Sequence, residues 1–181
     1  ALFLSTLIGS LGPDLGNDSL CYHLEDPKVF LRGHKIGYLP YSENSLFPYF
    51  MEMLFTTGLI LKGPIAAKLF HSLTGFLTLL VIFSWGRKFL SPFYAFLAGA
   101  IFLVTPGIHN QMGTAYIDVG LTFMTALSYY ALYLWTEKGS WKWLFLSGLF
   151  SGFALSVKYQ ALFSCLVTLL VISVEALKDK E

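Results

Sequence analysis

Apolar residues in this chain fall into long runs that short polar segments separate. The runs cover residues 69–85, 89–106, 116–135 and 143–176. A helix of about 20 apolar residues is long enough to cross a bilayer. The pattern therefore predicts an all-α fold, a polytopic bundle of transmembrane helices.

The last run, residues 143–176, is too long to form one spanning helix. At 1.5 Å per residue it would extend roughly 50 Å, against a hydrocarbon core of about 30 Å. Lys158 is the natural place for a break, because it is the only charged residue in the run apart from Glu175. We therefore expect two shorter helices, at 143–157 and 159–176.

The amino-terminal part of the chain has a different pattern. Residues 1–10 are apolar but short, and we expect them to be the end of a first transmembrane helix, which makes the sequence a piece of a longer membrane protein. Residues 11–62 are expected to form an external loop with juxtamembrane helices, and residues 63–177 the transmembrane helices, within one membrane domain, 1–181. The stretch 46–61 has only sixteen residues, which favours an interfacial or re-entrant helix over a spanning one.

Composition supports a membrane protein. Hydrophobic residues make up 55% of the chain and charged residues only 13%, against about 25% charged residues in soluble domains. The net charge of +1 gives no excess for binding a polyanion, so we expect a lipid bilayer around the chain and no nucleic-acid partner. Pairs of small residues four apart predict close helix packing, namely Gly148 with Gly152 and Ala95 with Gly99.

Basic residues between the apolar runs predict the orientation. If the stretch 46–61 does not span, the basic clusters all fall on one side: Arg87 with Lys88, Lys138 with Lys142, and Lys178 with Lys180. The positive-inside rule makes that side cytoplasmic. The polar loop then faces outward, and we expect an integral, multi-pass protein of the cytoplasmic membrane.

Asp118 and Lys158 are ionisable residues inside apolar segments. Such a residue costs about 2.5–3.5 kcal/mol on insertion scales, so it is kept where it meets a partner, an ion or water. The predicted topology places both at the outer boundary of the membrane. They either form an ion pair that holds two helices together or belong to a polar site. A transporter or channel with this pair on the substrate path, or a purely structural subunit, remains an alternative.

Four stretches carry a family resemblance, in their order and spacing: residues 17–23 (NDSLCYH), Gly86-Arg87-Lys88, residues 115–118 (AYID) and residues 147–159 (SGLFSGFALSVKY). Together they resemble C-type-fold membrane glycosyltransferases of the protein O-mannosyltransferase and lipid A aminoarabinose-transferase group, glycosyltransferase family 39 and relatives. Many members carry Asp-Glu in the first loop, whereas this chain has Asp18-Ser19, so no role of the second acid is carried over.

The resemblance implies an enzyme that takes a sugar from a polyprenyl-phosphate donor. The hydroxyl of an acceptor lipid, glycan or protein attacks the anomeric carbon with inversion. On this reading Asp18 is the catalytic base, although an Asp at this place is also a favoured helix cap. Lys158 would face the donor phosphate, although a lysine there could also extend to the interface.

Further substrate-binding candidates lie beside these residues in the sequence: Asp118, His109, Tyr22, His23 and Tyr159. No cofactor is expected. The histidines lack the spacing of a zinc site, and a divalent ion held by Asp18 and Asp118 has no support in the sequence.

Overall fold

The computed structural model of the chain describes residues 2–178. Within that range the chain is helical, and no strand is present. The predicted all-α fold is confirmed. The helices are α1 (Leu2–Leu11), a π-helix (Ser19–His23), α2 (Glu25–Gly33), a 3-10 helix (Glu43–Leu46), α3 (Phe50–Lys62), α4 (Pro64–Gly86), α5 (Pro92–Val104), α6 (Pro106–Met112), α7 (Asp118–Lys138), α8 (Trp141–Val157) and α9 (Ala161–Lys178).

Two of the described helices, α4 and α9, are long and apolar enough to cross a membrane. A third span is possible if α5 and α6, which meet at an angle of 71°, cross together as one broken helix. Helix α7 is long enough, with 21 residues, but it is less apolar, and α8 is apolar but has only 17 residues. These helices fit an integral membrane protein, while the exact set of spans stays a prediction.

Helix α3 is the segment for which the sequence left two alternatives. It has 13 residues, roughly 20 Å of helix, which is short for a bilayer. Gly63, with a φ of 75°, turns the chain directly into α4. The two helices then pack closely at Gly58, where a Cβ atom would lie 2.5 Å from the backbone nitrogen of Ala67. The length of α3 agrees with an interfacial or re-entrant helix.

The predicted break at Lys158 is present. Lys158 has extended dihedral angles, φ −158° and ψ 138°, so α8 ends at Val157 and α9 begins at Ala161. Because α8 and α9 line a common groove after this short connection, they run antiparallel.

Helices α7 and α8 pack through serines rather than through the predicted glycines. Ser128 on α7 donates a hydrogen bond to the carbonyl oxygen of Ser147 (3.0 Å), and its Oγ lies 2.8 Å from that of Ser151. Nothing lies within 4 Å of a Cβ atom built on Gly148 or Gly152. The predicted packing at these two glycines is therefore wrong within the described chain, because α8 turns the adjacent serines towards α7.

The basic clusters lie at one end of the bundle. Trp85 and Phe89, at the end of α4, contact Tyr133 near the end of α7, with ring centroids 6.0 and 5.3 Å apart. These contacts place the first two basic clusters side by side, and antiparallel α9 carries Lys178 towards the same end. Lys180 lies outside the described residues. The shared end supports the predicted orientation without fixing which side is cytoplasmic.

Asp14 fastens the amino-terminal loop to the opposite end of the bundle. Its Oδ2 accepts hydrogen bonds from the hydroxyl of Ser19 (2.6 Å) and from the backbone nitrogen of Ala115 (3.0 Å), just before α7 begins. Lys68 of α4 is buried and donates to the carbonyl oxygens of Gly9 and Gly12 at the end of α1. Both contacts fix the loop that carries Asp18 above the start of α7.

Candidate active site

A cavity of about 480 Å³ lies at the end of the bundle away from the basic clusters. Its polar lining residues are Tyr22, His23, Asn44, Glu52, Lys158 and Gln160. Its more apolar lining residues are Phe47, Pro48, Ile117, Val157, Tyr159 and Phe163. The cavity thus lies between the segment that precedes α3 and the break between α8 and α9, and charged and apolar side chains line it together.

Lys158 and Asp118 form an ion pair beside this cavity, with Nζ 2.7 Å from Oδ1. Asp118 is the first residue of α7, and Lys158 directly follows α8. The side chains are 34% and 43% exposed, so both charges stay accessible to a ligand. A partly exposed pair of this kind contributes little to folding, at most about 1 kcal/mol.

Asp18 precedes the π-helix, and its side chain makes no capping hydrogen bond. The residue is exposed, and the amide of Asn17 donates to its Oδ1 at 3.4 Å. The structure therefore gives no support to the capping alternative, because Asp14, not Asp18, holds the loop. The carboxylate of Asp18 is exposed and also contacts the phenol of Tyr22.

Tyr22 connects Asp18 to the cavity. Burial raises the pKa of its phenol above the usual range, and the neighbouring Asp18 carboxylate is the next largest cause. Glu52 and Asp118 act in the same direction. Tyr22 and Glu52 both line the cavity, and Asp18 and Asp118 lie close enough to Tyr22 to affect its phenol.

His23 and Glu52 form a second side-chain pair in the lining of the cavity. Nδ1 of His23 lies 2.6 Å from Oε1 of Glu52, and the side chains are 4% and 3% exposed. The sequence analysis named His23 but not Glu52 as a site residue. His23 and Glu52 are 29 residues apart, and no sequence motif connects them. Their contact depends on how α3 folds back towards the loop.

The structure brings Tyr159 to the cavity rim and leaves His109 away from it. The hydroxyl of Tyr159 donates to the carbonyl oxygen of Leu46 at 3.3 Å. The ring nitrogens of His109 lie 3.3 Å from the hydroxyls of Ser5 and Thr6 on α1. The cavity gives no support to substrate binding by His109, which stays a prediction. Within residues 2–178, no group of three or more His, Cys, Asp or Glu side chains is placed to hold a metal ion.

The family model described as dolichyl-phosphate-mannose-protein mannosyltransferase matches residues 38–179. The chain belongs to this family. Comparison with curated proteins and with solved structures gave no match. The predicted resemblance is confirmed, and with it an integral membrane protein of a mannosyltransferase family that uses a polyprenyl-phosphate-linked sugar.

The matched region contains only part of the candidate site. Asp118, Lys158, Tyr159 and Glu52 lie within it, whereas the π-helix that carries Tyr22 and His23 precedes it, as does Asp18. The place of these earlier residues in the site therefore depends on the geometry of the loop. The ion pair, which the sequence also allowed as part of a transport path, lies at helix ends and not within a helix.

Proposed function

We propose that the cavity binds a polyprenyl-phosphate-linked sugar and that the protein transfers the sugar to an acceptor hydroxyl at the outer face of the membrane. The observation that carries this proposal is the combination of Lys158 with apolar side chains in the lining of one cavity. A lipid-linked sugar phosphate presents an anion beside a hydrocarbon chain, and the cavity offers a cation beside apolar side chains.

Lys158 binds the donor phosphate in this proposal. The leaving polyprenyl phosphate is already an anion, so it needs positive charge and no proton. Asp118 holds the ammonium group in place before the donor arrives, because its Oδ1 lies 2.7 Å from Nζ. The isoprene units next to the phosphate would contact Phe47 and Phe163, and the rest of the prenyl chain would extend into the lipid.

Asp18 is the proposed catalytic base. The acceptor oxygen attacks the anomeric carbon while the bond from that carbon to the phosphate oxygen breaks, and the bonding electrons leave with polyprenyl phosphate. The proton of the acceptor hydroxyl passes to the Asp18 carboxylate. One displacement of this kind inverts the anomeric carbon. The exposed position of Asp18 supports this function, because an acceptor can reach it from the aqueous side.

The test uses the full-length protein in lipid nanodiscs with labelled polyprenyl-phosphate mannose. Asp18→Asn should lower transfer about 10²- to 10⁴-fold, the usual contribution of a positioned base, while donor binding stays unchanged. Glu25→Gln is the matched control, because Glu25 is an acid on α2 whose ion pairs in the described part of the chain are with Lys28 and Arg32. Full transfer by Asp18→Asn would exclude Asp18 as the base, and a wild-type protein that binds no donor would exclude the proposed function.

A further inference from the structure

His23 and Glu52 form a buried pair that connects the π-helix to α3. The two residues come from the π-helix and from the first turn of α3, and both side chains are almost fully buried. Burying two titratable groups is costly, and replacing such a pair with apolar residues is often neutral or stabilising. Burial of this pair therefore needs a reason besides stability.

Each partner keeps a polar atom that the described chain does not use. Oε2 of Glu52 is buried without a hydrogen-bond partner in the described residues. Nε2 of His23 makes no hydrogen bond within them either, because the only hydrogen bond of this ring is at Nδ1. A buried polar atom without a partner is uncommon and calls for an explanation. Both residues line the cavity, so a ligand there is in a position to supply the missing partner.

The ring of His23 has a fixed orientation. Its centroid lies 4.1 Å from that of Tyr22 and 6.2 Å from that of Tyr116. Nδ1 faces the Glu52 carboxylate, which leaves Nε2 as the ring nitrogen that can contact a ligand. The dyad therefore offers a ligand two polar atoms: Nε2 of His23 and the carboxylate oxygen Oε2 of Glu52.

A carboxylate oxygen such as Oε2 of Glu52 selects among the three parts of a lipid-linked sugar. An anionic phosphate is repelled by the Glu52 carboxylate and is attracted by Lys158 instead. A prenyl chain has no hydrogen-bond donors. The sugar remains, because its hydroxyls donate hydrogen bonds and carry no charge.

We propose that the dyad of His23 and Glu52 binds hydroxyl groups of the donor's sugar and so contributes to the choice of sugar. Glu52 contacts the sugar through Oε2 and orients His23 through Oε1. This inference rests on the proposed function, since it assumes a sugar donor in the cavity. It adds Glu52 to the site and separates recognition of the sugar from recognition of the phosphate.

The experiment compares two ligands that differ only in the sugar. Binding of polyprenyl phosphate and of polyprenyl-phosphate mannose to the full-length protein in nanodiscs is measured for wild type, Glu52→Gln and the control Glu25→Gln. Gln keeps the shape and still accepts from Nδ1 of His23, but it loses the charged acceptor. Glu52→Gln should weaken binding of the mannosyl ligand about 10- to 100-fold, the usual effect of losing a hydrogen bond to a charged group. Binding of polyprenyl phosphate should stay within about 2-fold, which also shows that the variant is folded.

A second measurement changes the ligand first and the protein afterwards. Donors that lack one sugar hydroxyl are tested on the wild-type protein, and one of them should bind about 10-fold more weakly than the complete donor. Glu52→Gln should add no further loss for that donor, because the contact is already gone. His23→Asn should reproduce the selective loss of the mannosyl ligand.

The possible failures are distinguishable. Equal effects of Glu52→Gln on both ligands, or no effect on either, would overturn the sugar contact. Binding of both ligands to the wild-type protein would still support the proposed function in that case. If the wild-type protein bound neither ligand, the proposed donor and the sugar contact would both be excluded.

Discussion

Lys158 is the residue whose replacement tests the proposed donor site most directly. Lys158→Met keeps an unbranched apolar side chain and removes the charge. Two unit charges 4 Å apart attract each other by about 1 kcal/mol in water and about 4 kcal/mol at an effective dielectric constant of 20. Because Lys158 is 34% exposed, its environment lies between these limits, and donor binding should weaken about 10- to 100-fold.

The same change should have little effect on folding. The pair of Lys158 with Asp118 is partly exposed, and such pairs contribute about 0–1 kcal/mol to stability. A midpoint of thermal unfolding in detergent close to that of wild type should therefore accompany the loss of donor binding. The two measurements therefore distinguish a ligand contact from a structural ion pair. If the pair were only structural, Lys158→Met would lower the midpoint of thermal unfolding and leave donor binding unchanged.

The assay measures initial rates of transfer by the full-length protein, first at varied donor and fixed acceptor concentration. A second series varies the acceptor concentration and keeps the donor concentration fixed. The KM for the donor should rise and the KM for the acceptor should stay unchanged. Lys142→Met, at the other end of the bundle, is the matched control. An unchanged donor KM in Lys158→Met would refute the phosphate contact.

A double variant gives a sharper result. In Lys158→Met the carboxylate of Asp118 remains beside the phosphate without its counter-ion and repels it. Adding Asp118→Asn should therefore recover part of the lost affinity, about 3- to 10-fold. If Asp118 instead bound the sugar, the second change would lower affinity further.

Two further predictions concern the fold. Gly58→Val should lower the midpoint of thermal unfolding in detergent by several degrees, because a Cβ atom at Gly58 would lie 2.5 Å from the backbone nitrogen of Ala67. The control Gly148→Ala should leave the midpoint unchanged, because a Cβ atom at Gly148 meets open space. Equal midpoints for the two variants would contradict the close packing of α3 on α4. In a background in which serine replaces both native cysteines, a membrane-impermeant thiol reagent should label a cysteine at His109 from outside and one at Gly139 only from the cytoplasm. The reverse pattern would mean that α3 spans and that the orientation is inverted.

The sequence predicted the helix ends that carry the ion pair, because local signals decide them. A charged residue in a long apolar run marks a boundary, and Asp118 and Lys158 both lie at helix ends in the structure. Loop contacts carry no such signal. Glu52 lies inside the short apolar stretch 46–61, and its contact with His23 appears only after α3 is placed. Likewise, the spacing of Gly148 and Gly152 is correct for close packing, but only the rotation of α8 decides that Ser147 and Ser151 face α7.

The ends of α7 and α8 explain how the protein itself stabilises the charge of Lys158. Asp118 lies at the amino end of α7, where the helix dipole favours an anion, and Lys158 follows the carboxyl end of α8, where it favours a cation. Because the two helices are antiparallel neighbours, both charges are stabilised by their own helix and by each other. A donor phosphate then needs only to share the ammonium group with Asp118, and neither side chain has to be brought from elsewhere. The break in the last apolar run thus places Lys158 beside Asp118, as the proposed donor site requires.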